Sequence, residues 1–225
     1  MKELFPDLPF KSQLVRSEES PKLFAFTDDE SKIVRVRIWK ESSAASVTSR
    51  YRIAQTLFNQ LESNGIPLPR FDFVLGGYKK DPSIAVFTVT DRIEGENLWP
   101  LTTCPVLPSE LDTLCANLIQ YYRDRFVAGD RFLKDIRTCQ FMYGLRTGEN
   151  EKRLYFVDLD GDYEWGNPEF HVAVINIANM IVHAERTFGE ENMGVARRRL
   201  NTFIEELPSL NDSGYVLERL SHYVI

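Results

Sequence analysis

Asp135 and Asp158 are the residues in this chain whose type and placement could do chemistry together. Between them runs a stretch that reads as a β-hairpin. Phe141, Tyr143 and Leu145 alternate with Met142 and Gly144. A polar turn, Thr147-Gly148-Glu149-Asn150, follows, and Leu154, Phe156 and Val157 then lead into Asp158-Leu159-Asp160-Gly161-Asp162. A hairpin returns its two outer ends to one place, so both carboxylates can reach a single site. One carboxylate there can accept a proton from a hydroxyl. The other can hold a divalent cation, because such ions take hard oxygen ligands.

Other elements must position this hairpin. Three strands are expected over residues 12–16, 22–27 and 32–39, the last two separated by the acidic turn Asp28-Asp29-Glu30-Ser31. In the third, Val34, Val36 and Ile38 alternate with Arg35, Arg37 and Trp39, which gives an apolar face and a cationic one. Val47, Tyr51, Ala54, Leu57, Phe58 and Leu61 recur at helical spacing, predicting a helix over 44–64 that ends at Asn64-Gly65. A second hairpin is expected from 71–75 and 84–90. Leu111, Leu114, Cys115, Leu118, Ile119 and Tyr122 predict an amphipathic helix from Pro108, with Ser109 as its N-cap. Residues 170–188 are apolar on most sides, as in a buried central helix, and two more helices are expected at 190–206 and 213–223.

Composition narrows the function classes. The chain has 225 residues, 43% hydrophobic and 27% charged, with a net charge of −6. That balance suits a soluble globular protein and argues against a broad nucleic-acid-binding face. The run Arg197-Arg198-Arg199 is expected to be a solvated helix face. Cys104, Cys115 and Cys139 lack metal-ligand spacing and point to free thiols in a reducing compartment, with Cys139 as a small apolar filler. No apolar run is long enough for a membrane span, and the N-terminal residues carry no signal-peptide core. The expected location is the cytoplasm.

The hairpin and its surroundings resemble the catalytic segment of the protein-kinase-like superfamily, in particular the branch of aminoglycoside and choline phosphotransferases and lipopolysaccharide sugar kinases. There an Asp is followed five residues later by Asn or His, and a hairpin leads to a metal-binding Asp; here Asp135 is followed by Gln140, and Phe156-Val157-Asp158 supplies the second acid. Gly166-Asn167-Pro168-Glu169-Phe170-His171 resembles the segment that opens a buried helix in that branch, with His171 where the family has an anchoring Asp. Gly65-Ile66-Pro67-Leu68-Pro69 and Ile93-Glu94-Gly95-Glu96-Asn97-Leu98 resemble two upstream motifs. The resemblance implies an α+β, two-lobed kinase-like fold, with a β-rich N-lobe carrying one helix over residues 1–97 and a mostly helical C-lobe with a hairpin over 98–225.

It also implies ATP-dependent phosphoryl transfer to a hydroxyl of a small molecule, sugar or protein. Asp135 would be the base and Lys134 would neutralise the transferring group. Gln140, Asp158 and Asp160 would surround Mg²⁺. Arg35 or Lys40 would steady the phosphates, and the connector around Thr90 and Arg92 would receive the nucleotide. The chain departs from the family in three ways that favour a pseudokinase, a binding or regulatory module on the same scaffold, one of them being His171 in place of the anchoring Asp. The turn Ser17-Glu18-Glu19-Ser20-Pro21 has no Gly to approach phosphate, and residues 50–55 hold no acid to pair with the strand cation, which leaves it unpaired or held by Gln55. Three further readings of the acidic turn remain. Asp158-Leu159-Asp160-Gly161 resembles the nucleophile motif of haloacid-dehalogenase-type phosphatases, but only 63 residues follow Asp162 and they read as helical. A calcium loop would need Gly at Tyr163. A bare solvated acidic turn is the third.

Overall fold

The computed structural model describes residues 13–16, 23–40, 43–77, 84–133, 136–159 and 170–207, and it is a mixed α+β fold. Five strands form one sheet: β1 (Leu14–Arg16), β2 (Leu23–Phe26), β3 (Lys32–Trp39), β4 (Phe71–Gly77) and β5 (Ile84–Asp91). Their spatial order is β1-β2-β3-β5-β4, and every pairing is antiparallel. Three more strands, β6 (Ile93–Asn97), β7 (Phe141–Arg146) and β8 (Arg153–Phe156), form a second antiparallel sheet in that order. The described residues also contain four α-helices: α1 (Ala44–Ser63), α2 (Pro108–Ala128), α3 (Phe170–Phe188) and α4 (Gly194–Glu206).

The alternation read in β3 has the expected consequence. Val34 and Val36 are buried with Leu14, Phe24, Ala85 and Phe87 on one face of the sheet. Ile33 and Arg35 lie on the other, opposite Thr90 and Thr88 of β5. On that second face Trp39 sits between the Arg37 and Arg50 guanidiniums, 4.6 and 4.8 Å from its ring, and meets Tyr51 of α1 edge-on. In the turn before β3, the Asp29 carboxylate accepts from the Ser31 backbone N–H at 3.0 Å, which is the local bond that makes Asp a turn former.

Ser43 caps α1 by accepting from the Ser46 N–H at 3.1 Å, and Gly65, at φ 75°, lets the chain reverse beyond the helix. At α2 the expected cap is corrected. Leu107 is the cap residue and Pro108 takes the first helical position, with Ser109 already inside. Proline has no N–H to be capped and its φ is fixed near the helical value, so it starts the helix itself. Helices α2, α3 and α4 share one large core with the inner face of α1 and the β7–β8 hairpin. Phe170, the first residue of α3, is at its centre, with its ring 4.7 to 6.1 Å from those of Phe126, Phe132, Tyr122 and Phe203.

The arginine run is only partly the solvated face expected of it. Arg198 and Arg199 are exposed, with Arg199 also donating to the Ala116 carbonyl of α2 at 3.2 Å, but Arg197 is ion-paired to Glu185 of α3. Asp112 of α2 is only 8% exposed, and its carboxylate accepts from the backbone N–H groups of Val195 and Ala196 at 3.2 and 2.7 Å. It caps α4 from a different helix, and its charge complements the positive end of the α4 dipole. Asp112→Ala should lower the stability to urea unfolding by about 2 kcal/mol, because two helix-end donors, one of them buried, lose a charged acceptor. A loss below about 0.5 kcal/mol would contradict that role.

Candidate functional site

A cavity of about 460 Å³ opens between the two sheets. One wall comes from Leu23 of β2, Ile33 and Arg35 of β3, and Thr88 and Thr90 of β5; the other comes from Met142 of β7 with Val157 and Leu159 beyond β8. Strand β6 closes the third side. A single residue, Arg92, joins β5 to β6, and it too lines the cavity.

The register of β6 gives its backbone a purpose. The Leu98 N–H donates to the Phe141 carbonyl at 2.9 Å, so Leu98 and Phe141 form a hydrogen-bonded pair. Alternation along the antiparallel ladder then makes Ile93, Gly95 and Asn97 the non-hydrogen-bonded positions. Their N–H and C=O groups point away from β7, and all three residues line the cavity. Gly95 faces Gly144 across this pair, and a Cβ built on Gly95 would fall 2.2 Å from the Tyr143 carbonyl oxygen. The two strands approach so closely there that only glycine fits, which explains in physical terms why the Ile93-Glu94-Gly95 motif contains one.

Three of the residues singled out from the sequence meet at the edge of this cavity. The Arg35 guanidinium forms an ion pair with Oδ1 of Asp158. Gln140 Nε2 donates to Oδ2 of the same carboxylate at 2.7 Å. Gln140 is itself held, because its Oε1 accepts from the Arg137 N–H at 2.7 Å. Turning the amide round would set donor against donor at Arg137 and acceptor against acceptor at Asp158, so its orientation is dictated by its neighbours. Gln140 belongs to a 3-10 turn over Thr138–Gln140, and the bond from Val157 N–H to the Gln140 carbonyl, 2.9 Å, ties that turn to the residue before Asp158.

The other expected site residues are distributed as follows. Thr90 and Arg92 line the cavity. Lys40 lies exposed beyond the end of β3, five residues from Arg35 and therefore about 16 Å along the strand, outside the cavity lining. Between the two candidate cations, it is Arg35 that reaches Asp158. Gln55 is exposed, and the Arg35 partner is Asp158 from the second sheet in place of a residue from α1. Lys134, Asp135 and Asp160 lie outside the described residues, as do the 17–21 turn, Asp162, residues 166–169 and the 213–223 segment. The Tyr122 hydroxyl donates to the Leu133 carbonyl at 2.6 Å and so anchors the backbone that leads directly to Lys134 and Asp135. His171 is half-buried in the first turn of α3.

Several residues at the site were not singled out. Asp91, 8% exposed, pairs with Lys32 of β3 and lies 3.9 Å from Arg146 of β7. Arg146 pairs with Glu149, which also accepts from the Tyr155 hydroxyl. This polar chain ties the two sheets together beside their one-residue covalent link. Burial and the bond to Glu149 push the Tyr155 phenol up to about 12, and the same bond holds the Glu149 carboxyl below its usual range. A charged residue ending the apolar strand β5 was the available signal for Asp91. Cys139 corrects its expectation as a filler: it is exposed and lines the cavity, with its carbonyl accepting from Asn97 Nδ2 at 2.9 Å.

No protein-family model matches the chain, and comparison with curated proteins finds no match. Among the described residues no group of three or more His, Cys, Asp or Glu side chains is gathered as for a metal ion, and none of their helices is long and apolar enough to cross a membrane.

Proposed function

We propose that this chain is a small, divergent two-lobed protein of the kinase-like superfamily, and that it transfers a phosphoryl group from ATP to a hydroxyl. The observation that carries the reading is the joining of Arg35, Gln140 and Asp158 at the edge of a cavity between two sheets. The resemblance assigned phosphate-binding and metal-binding roles to these residues before any of them was known to touch another. The outward N–H and C=O groups of Ile93 and Gly95 suit the edge of a nucleobase, and Ile33, Met142 and Val157 offer apolar contact to its faces. Asp135, by its place before the hairpin, orients and deprotonates the acceptor hydroxyl.

Asp158 fits a magnesium ion as a single hard carboxylate, the usual complement where substrate phosphates supply further ligands. Gln140 as it is held does not fit, because its one ligating oxygen already accepts from Arg137. The chemistry magnesium supplies in such a site is neutralisation of charge on the phosphate oxygens. Arg35 supplies a cation from the opposite wall, and its planar fork matches phosphate geometry.

A second reading, a pseudokinase that binds without transferring, draws on one specific feature: both oxygens of Asp158 are already engaged within the protein. Melting the protein with millimolar ATP, with and without Mg²⁺, separates the two. For the phosphotransferase we expect a magnesium-dependent rise of roughly 5–10 °C at 100-fold excess over Kd, since a ligand that binds only the native state stabilises it by mass action. A rise that ignores magnesium, or no rise, would favour the second reading.

A further inference from the structure

We infer that Arg35 is a latch on the cation site: Asp158 accepts a divalent cation only when an anionic phosphate has drawn the Arg35 guanidinium away. This deepens the proposed nucleotide reading and rests on it for the identity of the anion. In the structure each Asp158 oxygen already has a donor, Arg35 on Oδ1 and Gln140 on Oδ2. A dication approaching this carboxylate meets a full positive charge at contact distance and a site that is already electrically neutral. Gln140 cannot compensate by offering its oxygen, which the Arg137 N–H holds. At the cavity edge the Arg35–Asp158 pair also joins β3 of one sheet to the segment just beyond β8 of the other.

What opens the latch is chemical preference. A phosphate group carries more charge than one carboxylate and accepts the guanidinium fork in bidentate fashion, so Arg35 exchanges partners at little cost. Both side chains are accessible enough for that exchange, with Arg35 at 32% and Asp158 at 22% exposure. Once Arg35 has turned to the phosphate, Oδ1 faces the cavity as a free anionic oxygen. Cation and phosphate therefore bind with positive coupling, which by linkage is reciprocal.

The test measures Mn²⁺ binding by the electron paramagnetic resonance signal of the free ion, on the whole chain, with and without ADP, each set against the same Mn²⁺ and ADP mixture lacking protein, because ADP itself chelates Mn²⁺. Wild-type protein alone should bind Mn²⁺ at least roughly tenfold more weakly than Arg35→Met, and saturating ADP should tighten wild-type binding by up to on the order of 100-fold. The gain in Arg35→Met should vanish in Arg35→Met/Asp158→Asn, which retains Asp160 and Asp162. Arg35→Gln, closer in polarity, carries the same comparison if the methionine variant is unstable. Equal Mn²⁺ affinity in wild type and both Arg35 variants would overturn the latch, as would a gain that survives loss of the Asp158 charge. Failure of ADP to bind, with the Arg35 effect on Mn²⁺ intact, would instead remove the nucleotide reading and leave the latch standing.

Discussion

Asp158→Asn is expected to abolish the magnesium dependence of nucleotide binding, whereas Asp135→Asn is expected to leave nucleotide binding nearly intact and abolish transfer. The first expectation follows from ligand chemistry. A neutral amide is a poor ligand for a hard dication, and Asp158 is the carboxylate paired to Arg35 at the cavity edge. The same change leaves Arg35 without its carboxylate, so metal-free binding of a phosphate ligand should hold or tighten. The second follows from the role of a base, which touches the acceptor hydroxyl and contributes typically 10²–10⁴-fold to the rate. Autophosphorylation or ATP turnover reads the loss, and melting in the presence of ATP reads the binding. The pattern matters more than either number. Equal loss of the magnesium-dependent part of nucleotide binding in both variants, or in neither, would mean that the two acids have been given the wrong roles.

Phe170→Ala is expected to cost about 4 kcal/mol in urea unfolding, within the range for deleting a buried aromatic ring. Phe170 is 1% exposed and its ring lies against Phe126 and Tyr122 of α2, Phe132, two residues before Lys134 in the chain, and Phe203 of α4. No single neighbour can move into the gap without abandoning its own contacts, so the cavity term is largely retained. For a chain of this length the loss corresponds to a fall in Tm of roughly 10 °C. The effect should reach the site, because Tyr122, which touches the Phe170 ring, also hydrogen-bonds the Leu133 carbonyl. A cost below about 1 kcal/mol would show that the aromatic cluster is not tightly packed.

These two variants mark different degrees of legibility. Phe170 heads a helix whose apolar run was visible in the sequence, and α3 spans Phe170–Phe188 as expected. Strand β3 likewise matches its alternation, Lys32–Trp39, and α1 begins at the expected Ala44. Periodicity is a local property, set by 3.6 residues per helical turn and two per strand repeat, so the chain's own order encodes it. Strand β6 escaped for the same reason. Its residues Glu94, Gly95, Glu96 and Asn97 are all exposed, so no apolar–polar alternation marks the strand. It is a strand because β7 lies beside it.

By itself the sequence determined most of the elements, which faces of β3, α1, α2 and α3 are apolar, and which polar residues were candidates for a site. The tertiary structure decided which of those residues meet. Arg35 and Asp158 are 123 positions apart, one on β3 and the other just beyond β8, and the sequence offered Lys40 as a rival to Arg35, whereas the pairing of β3 with β5 sets Arg35 beside Thr88 and leaves Lys40 beyond the strand end. The fate of Gln140 was hidden in the same way. A sequence shows that an amide is present, but whether its oxygen is offered to a cation or spent on a backbone N–H depends on where residue 137 turns. Charge pairs and hydrogen bonds act over a few ångströms and are blind to sequence separation, so their partners are chosen only when packing brings the chain segments together.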